Sequence, residues 1–224
     1  MVVTRQHRSE SGFSLVELLV AMFVLGIVLT GLTSAAMSIY RASNQVDLAT
    51  RNQNEARTAI TVLSRDVRAA APVRPNAAFR IARPNEAVFT ALLDDAPRQQ
   101  LVRIFVDEQN RLVEDTTPPD EGLTPEGNLN WNVDGNSRVR FIATFVSNDD
   151  TQPMFRYLDA DGDEFEMSTT ACDAPGGTTV APPCLTPEQR NSIAIVELSL
   201  SISSDPGDRV RQFTVQQGVR LPNT

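Results

Sequence analysis

The longest pattern in the chain is an apolar run over residues 13–40, FSLVELLVAMFVLGIVLTGLTSAAMSIY, whose single charge is Glu17. About 20 consecutive apolar residues can cross the hydrocarbon core of a bilayer as a helix. The run therefore predicts a membrane-spanning helix. Arg5 and Arg8 precede it, and the positive-inside rule places that end of the chain in the cytoplasm and the rest outside.

Beyond this run the chain becomes polar but keeps a helical period. Apolar residues recur at steps of three and four at Val46, Leu48, Ala49, Ala56, Ala59, Ile60, Leu63 and Val67. Residues 32–71 contain no Pro, and Pro72 and Pro75 then disfavour further helix. The pattern predicts one helix over 13–71, whose second half packs its apolar stripe against a sheet.

After Pro72 the period changes to short runs rich in Val, Ile and Phe, separated by turn signals. The predicted strands are 78–82, 87–92, 101–107, 111–114, 138–146, 154–158, 192–203 and 209–220. Alternation within 138–146 and 192–203 is typical of strands with one buried face. Turns are expected at 107–110 and 204–208, and longer loops at 115–136 and 169–191. The predicted fold class is α+β.

Composition excludes several functions. The net charge is -8 and the 20 basic residues are all arginine, which argues against nucleic-acid binding as the main role because that binding neutralises phosphates. His7 is the only histidine. If the first residues are removed, catalysis and metal sites that need imidazole are excluded. We therefore expect neither enzymatic activity nor a cofactor.

The start of the chain has the reverse order of an ordinary secretory signal, because the small residue Gly12 precedes the apolar run. The residues Gly12-Phe13-Ser14-Leu15-Val16-Glu17 resemble the class III signal of type IV prepilins and of type II secretion pseudopilins. The resemblance implies cleavage after Gly12 by a prepilin peptidase and N-methylation of Phe13. It divides the chain into a leader (1–12), a helix (13–71, with 13–40 transmembrane) and a β-rich head (72–224).

In the family that this signal resembles, the glutamate pairs with the terminal amine of a neighbouring subunit. Here that pair would be Glu17 and the amine of Phe13, and each charge would offset much of the other's desolvation cost. The implied fold is a long helix packed on an antiparallel sheet. The implied partners are other major and minor pilins or pseudopilins and an inner-membrane assembly platform, and the implied location is the inner membrane, then a pilus or periplasmic pseudopilus.

The head also resembles minor pilins of the PilW group and J-type pseudopilins in EARTAITVLSRDVRAAAP, FRYLDADGDEF and FTVQQGVRLPN. The first hypothesis is a minor pilin that initiates or caps a pilus. One alternative is a J-type pseudopilin of type II secretion, and another is a displayed adhesin or DNA-uptake module. Gly26 and Gly31 allow either local loosening of the helix or close packing between membrane helices.

Two further features are candidates for chemistry in the head. Cys172 and Cys184 lie in one loop of an exported domain, which favours a disulfide over two free thiols. Asp159, Asp161 and Asp163 alternate like the first ligands of a calcium loop, but the sixth and twelfth positions do not fit, so a tight turn is preferred.

For the remaining acids and the single tryptophan we expect ordinary structural roles. The acids, expected to be solvated loop charges, are Asp94, Asp95, Glu114, Asp115, Asp120, Glu121, Asp149 and Asp150. Trp131 is expected to anchor its loop to the core, with sugar stacking as the alternative.

Overall fold

A computed structural model describes residues 14–73, 77–93, 98–120, 137–174, 178–203 and 212–222. The chain divides into two compact units, Met1–Asp47 and Leu48–Thr224. The long helix α1, Leu15–Arg68, begins in the first unit and ends in the second. Helix α1 confirms the prediction of one long N-terminal helix. Its first and last residues differ from the predicted 13 and 71.

The C-terminal end of α1 is set by the sheet that follows it. The predicted end at residue 71 is late, because the chain leaves the helix after Arg68 and Ala70 forms a bridge with Ala91. Ala71 N then donates a 2.8 Å hydrogen bond to Thr90 O. Arg65 and Arg68 occupy the last turn, where positive side chains complement the negative end of the helix dipole.

The second unit contains antiparallel sheets, as predicted. A five-stranded sheet has the order β1-β2-β3-β4-β5, with strands Phe79–Ala82, Glu86–Ala91, Gln100–Val106, Leu112–Thr117 and Arg138–Ala143. A three-stranded sheet has the order β10-β9-β6, with β6 at Phe155–Leu158, β9 at Ile195–Ile202 and β10 at Phe213–Arg220. The turn predicted between β9 and β10, at 204–208, lies outside the described residues.

One core joins the C-terminal part of α1 to both sheets. Ala56, Ala59, Leu63 and Val67 are fully buried, so the predicted stripe packs from Ala56 onward, whereas Val46 and Leu48 are exposed. The largest buried side chains of the sheets include Phe79, Phe89, Phe155 and Tyr157. This arrangement is the pilin-like α+β fold, a helix packed against antiparallel sheets.

The second predicted loop contains regular structure that the sequence analysis missed. A two-stranded ribbon, β7 (Cys172–Ala174) and β8 (Thr178–Val180), is followed by the short helix α2, Pro187–Asn191. Thr186 and Gln189 form a capping box at the start of α2, with Pro187 at its first position. Threonine, proline and glutamine at this spacing are a sequence signal for a helix start, so α2 could have been predicted.

Strand β4 is longer than predicted and turns Glu114 inward. It runs to Thr117, into the predicted loop 115–136. Leu112, Glu114 and Thr116 alternate along one face of the strand, and all are buried. The expectation that Glu114 is a solvated loop charge is therefore wrong.

The expectation of one buried face is confirmed for β9 and wrong for β5. In β9, Val196, Leu198 and Leu200 are fully buried at every second position. In β5 the first four residues are exposed on both faces. Alternation gives the period of a strand but not which elements cover its faces, and β5 lies at the edge of its sheet.

Candidate functional site

The functional signal predicted at the N-terminus falls partly within the described residues. The described chain begins at Ser14, whose Oγ accepts a 3.3 Å hydrogen bond from Val16 N and whose carbonyl accepts one of 3.0 Å from Glu17 N. Glu17 therefore lies in the first turn of α1, where a carboxylate complements the positive end of the helix dipole. Gly12 and Phe13 lie outside the described residues, so cleavage and methylation stay predictions.

The Glu17 side chain has no ionic partner among the described residues. No salt bridge of the described part of the chain includes it, and it is exposed beside Leu15, Val16 and Leu18. A carboxylate in an apolar stretch is costly in a membrane unless a cation meets it. The cation that the sequence resemblance implies comes from another subunit.

The first part of α1 has an exposed apolar surface along the described residues 15–40. The large apolar side chains from Leu15 to Tyr40 are between 49% and 76% exposed. The most apolar 18-residue window has a mean hydropathy of 2.5 and none of it is buried. An apolar surface of this extent is a site for membrane or protein contact, and its length suffices to span a bilayer.

The two glycines of this segment are not needed for packing within the chain. A Cβ placed on Gly26 or Gly31 would meet no atom within 4 Å. The helix is continuous through both positions, and Thr30 Oγ1 donates a 2.7 Å hydrogen bond to Gly26 O. Neither glycine is therefore required by a contact among the described residues.

The cysteine pair forms the predicted disulfide between Cys172 and Cys184, with Cα atoms 6.2 Å apart. Closing a loop of this length contributes about 3 kcal/mol in the chain-entropy model. The buried Arg190 of α2 donates from Nη1 to Arg80 O of β1 and from Nη2 to Asp173 O of β7. The disulfide thus closes the loop on itself, and the buried guanidinium of Arg190 holds it to the five-stranded sheet.

The acids of DADGD form a turn. Asp159 Oδ1 accepts hydrogen bonds of 3.0, 3.0 and 2.9 Å from the backbone N–H groups of Asp161, Gly162 and Asp163. Gly162 has a φ of 93°, which favours glycine. Glu164, at the position where a calcium loop requires glycine, pairs with Arg156. Among the described residues no group of His, Cys, Asp or Glu is arranged to hold a metal ion.

A buried acid cluster between α1 and β4 was missed by the sequence analysis. Asp66 is fully buried, and its Oδ1 accepts hydrogen bonds of 3.1 and 3.0 Å from Nε and Nη2 of Arg65. Arg140 Nη2 lies 2.5 Å from Glu114 Oε2 and 3.6 Å from Asp66 Oδ2. Desolvation, together with the charge of Glu114, raises the pKa of Asp66 to about 7.

The inward position of each acid in this cluster could have been found from periodicity. Asp66 follows Leu63 by three residues on the apolar stripe of α1, and Glu114 lies two residues after Leu112 in β4. Both positions predict an inward side chain. A carboxyl at an inward position is a sequence signal for a buried acid.

Asp149, another of the singled-out acids, takes part in a turn. Asp149 Oδ1 accepts hydrogen bonds from the backbone N–H groups of Thr151 and Gln152 in a turn. Trp131, Asp94, Asp95 and Glu121 lie outside the described residues.

Comparison with known proteins agrees with the N-terminal signal. A model of the prokaryotic N-terminal methylation motif matches residues 7–33. Neither a curated protein nor a solved structure matches the chain significantly. The motif agrees with the prepilin-type signal expected from the sequence, and the fold is pilin-like. The motif implies processing by a prepilin peptidase, anchoring in the inner membrane and assembly with pilins.

Proposed function

We propose that this chain is a minor pilin-like structural subunit that is cleaved after Gly12, held in the inner membrane by α1, and incorporated where a type IV pilus is initiated or capped. The proposal is supported by the methylation motif over residues 7–33 together with Glu17, a carboxylate that has no ionic partner among the described residues and lies in an exposed apolar helix. A pilin-like chain of this kind is expected to act by assembly and not by catalysis.

The physical basis of assembly is the surface that the chain leaves uncovered. The apolar side chains of residues 15–40 contact lipid first and then pack against the helices of other subunits. Glu17 sets the position of the neighbouring subunit, because its carboxylate is stabilised only where the terminal amine of Phe13 from that subunit lies against it. The head then supplies contacts that distinguish this subunit from others.

Deletion of this subunit in its native host is the test, because it separates the proposal from the two alternatives. The proposal predicts a several-fold decrease in the number of surface filaments, restored by the wild-type chain, with secretion unchanged. A J-type pseudopilin would instead be required for secretion of exoproteins. An adhesin would leave filament number normal and reduce attachment or DNA uptake. Normal filament number after deletion would contradict the proposal.

A further inference from the structure

Strand β5 is an open edge of the five-stranded sheet. Among the described strands it pairs only with β4. Every second residue of such an edge directs its N–H and C=O away from the sheet, where they can pair with another chain. No other described element forms a backbone hydrogen bond with β5 along this edge. No described residue therefore occupies this edge.

The two faces of β5 differ in chemistry. Arg138 and Arg140 lie on the face that carries Glu114, because Arg140 is directly opposite Glu114 in the sheet register. Val139 and Phe141 lie on the other face and are 54% and 55% exposed. A strand added to this edge would meet Arg138 on one face, where Arg140 already pairs with Glu114, and apolar side chains on the other.

The exposed ring of Phe141 is held in place by its neighbours. The guanidinium of Arg111 lies over the ring, with its Cζ 4.2 Å from the ring centroid, and Arg111 is itself fixed by Asp107 at 2.7 Å. This contact covers one side of the ring and leaves the rest exposed. A preorganised aromatic side chain loses little entropy on binding a partner.

A strained residue follows the strand. Phe145 has a φ of 56° and is 51% exposed, although the left-handed region is unfavourable for a bulky side chain. Its conformation is fixed by the hydrogen bond from Ser203 N to Phe145 O, 3.0 Å, and by that from Val146 N to Asn110 O, 2.8 Å. Backbone strain of this kind is concentrated at functional sites. Here the strained backbone of Phe145 holds its exposed aromatic ring at the end of β5.

The arginines could instead protect the edge from aggregation, since charged side chains are a common defence of edge strands. That explanation accounts for Arg138 and Arg140 but not for the apolar face. A protected edge would not keep Val139, Phe141 and Phe145 exposed beside it. Binding of a partner strand accounts for the arginines on one face and for the exposed apolar side chains on the other.

We propose that the β5 edge binds an extended segment of a partner protein in which acidic residues alternate with apolar ones, added as a further strand of the sheet. The acidic residues would lie beside Arg138, and the apolar residues beside Val139 and Phe141. This mode of recognition takes affinity from main-chain hydrogen bonds and specificity from alternate side chains. The proposal rests on the head and does not depend on cleavage or filament entry.

The test uses the full chain in lipid nanodiscs and a labelled peptide of alternating valine and glutamate, with empty nanodiscs as the blank. We expect saturable binding of this peptide and much weaker binding of the matched valine–lysine peptide. Arg138→Glu should weaken binding of the acidic peptide at least tenfold and strengthen binding of the basic one. Phe141→Glu should also weaken binding of the acidic peptide at least tenfold.

Leu92→Glu is the matched control, because Leu92 is an equally exposed apolar residue of the head at 56% and lies outside β5. It should leave peptide binding unchanged, and all variants should keep the wild-type circular dichroism spectrum. Absence of binding, or equal binding by Arg138→Glu and wild type, would overturn the proposal. Self-association that Phe141→Glu abolishes, without peptide binding, would assign the edge to a second copy and also overturn it.

Discussion

Replacing Glu17 with valine is expected to exclude the subunit from filaments while leaving cleavage after Gly12 intact. The side chain lies exposed in the first turn of α1 and has no ionic partner among the described residues. In the filament its partner would be the amine of Phe13 from a neighbouring subunit. Removal of one member of a buried ion pair costs about 3 kcal/mol or more, which is more than about a hundredfold in incorporation.

Two further variants separate charge from shape. Glu17→Gln keeps the size of the side chain and removes its charge, so it should fail like valine. Asp47→Val removes an exposed carboxylate elsewhere on the same helix and should enter filaments normally. The measurement is the ratio of this subunit in sheared filaments to that in membranes, quantified by immunoblot. Wild-type incorporation of Glu17→Val would refute the pairing role.

The buried acid cluster should make the head less stable as pH rises. Burial and the charge of Glu114 raise the pKa of Asp66 from 3.8 to about 7, so the folded state binds this proton more tightly than the unfolded state. The stabilisation is fully present below the unfolded pKa of 3.8 and is lost as pH rises through about 7. Between pH 5 and pH 8 the free energy of unfolding should fall by about 3 kcal/mol from this group.

Asp66→Asn removes the titrating group and tests this prediction. The neutral side chain should flatten the decrease between pH 5 and pH 8, and at pH 8 the variant should be more stable than wild type. Arg65, Glu114 and Arg140 surround the site and are unchanged in this comparison. Urea unfolding of the detergent-solubilised chain measures the effect, with Asp47→Asn as the exposed control. An equally steep decrease in Asp66→Asn would contradict the assignment.

The parts of the fold that depend on long local patterns could be predicted from the sequence. The apolar run and the stripe from Ala56 to Val67 give α1, because helical periodicity is a property of the chain itself. Alternation in 192–203 gives β9, which is covered on one face by the core. The cysteine spacing gave the disulfide, because both cysteines lie close together in one loop.

The features that depend on tertiary contacts could not be predicted in the same way. The exposure of Val139 and Phe141 follows from the position of β5 at the sheet edge, which the alternation of one strand does not specify. The meeting of Asp66 and Glu114 depends on the packing of α1 on β4, between residues far apart in sequence. Their inward positions were predictable one by one, but their contact was not.

The central claim is that the start of this chain is a prepilin signal, and N-terminal sequencing after coexpression with a prepilin peptidase tests it most directly. We expect the mature chain to begin at Phe13 with a methylated amine, and an inactive peptidase to leave the residues before it attached. Gly12→Val should prevent cleavage, because the valine side chain occupies the space left by glycine at the cut bond. A mature chain that begins at any other residue, or one that is never cleaved, would contradict the account.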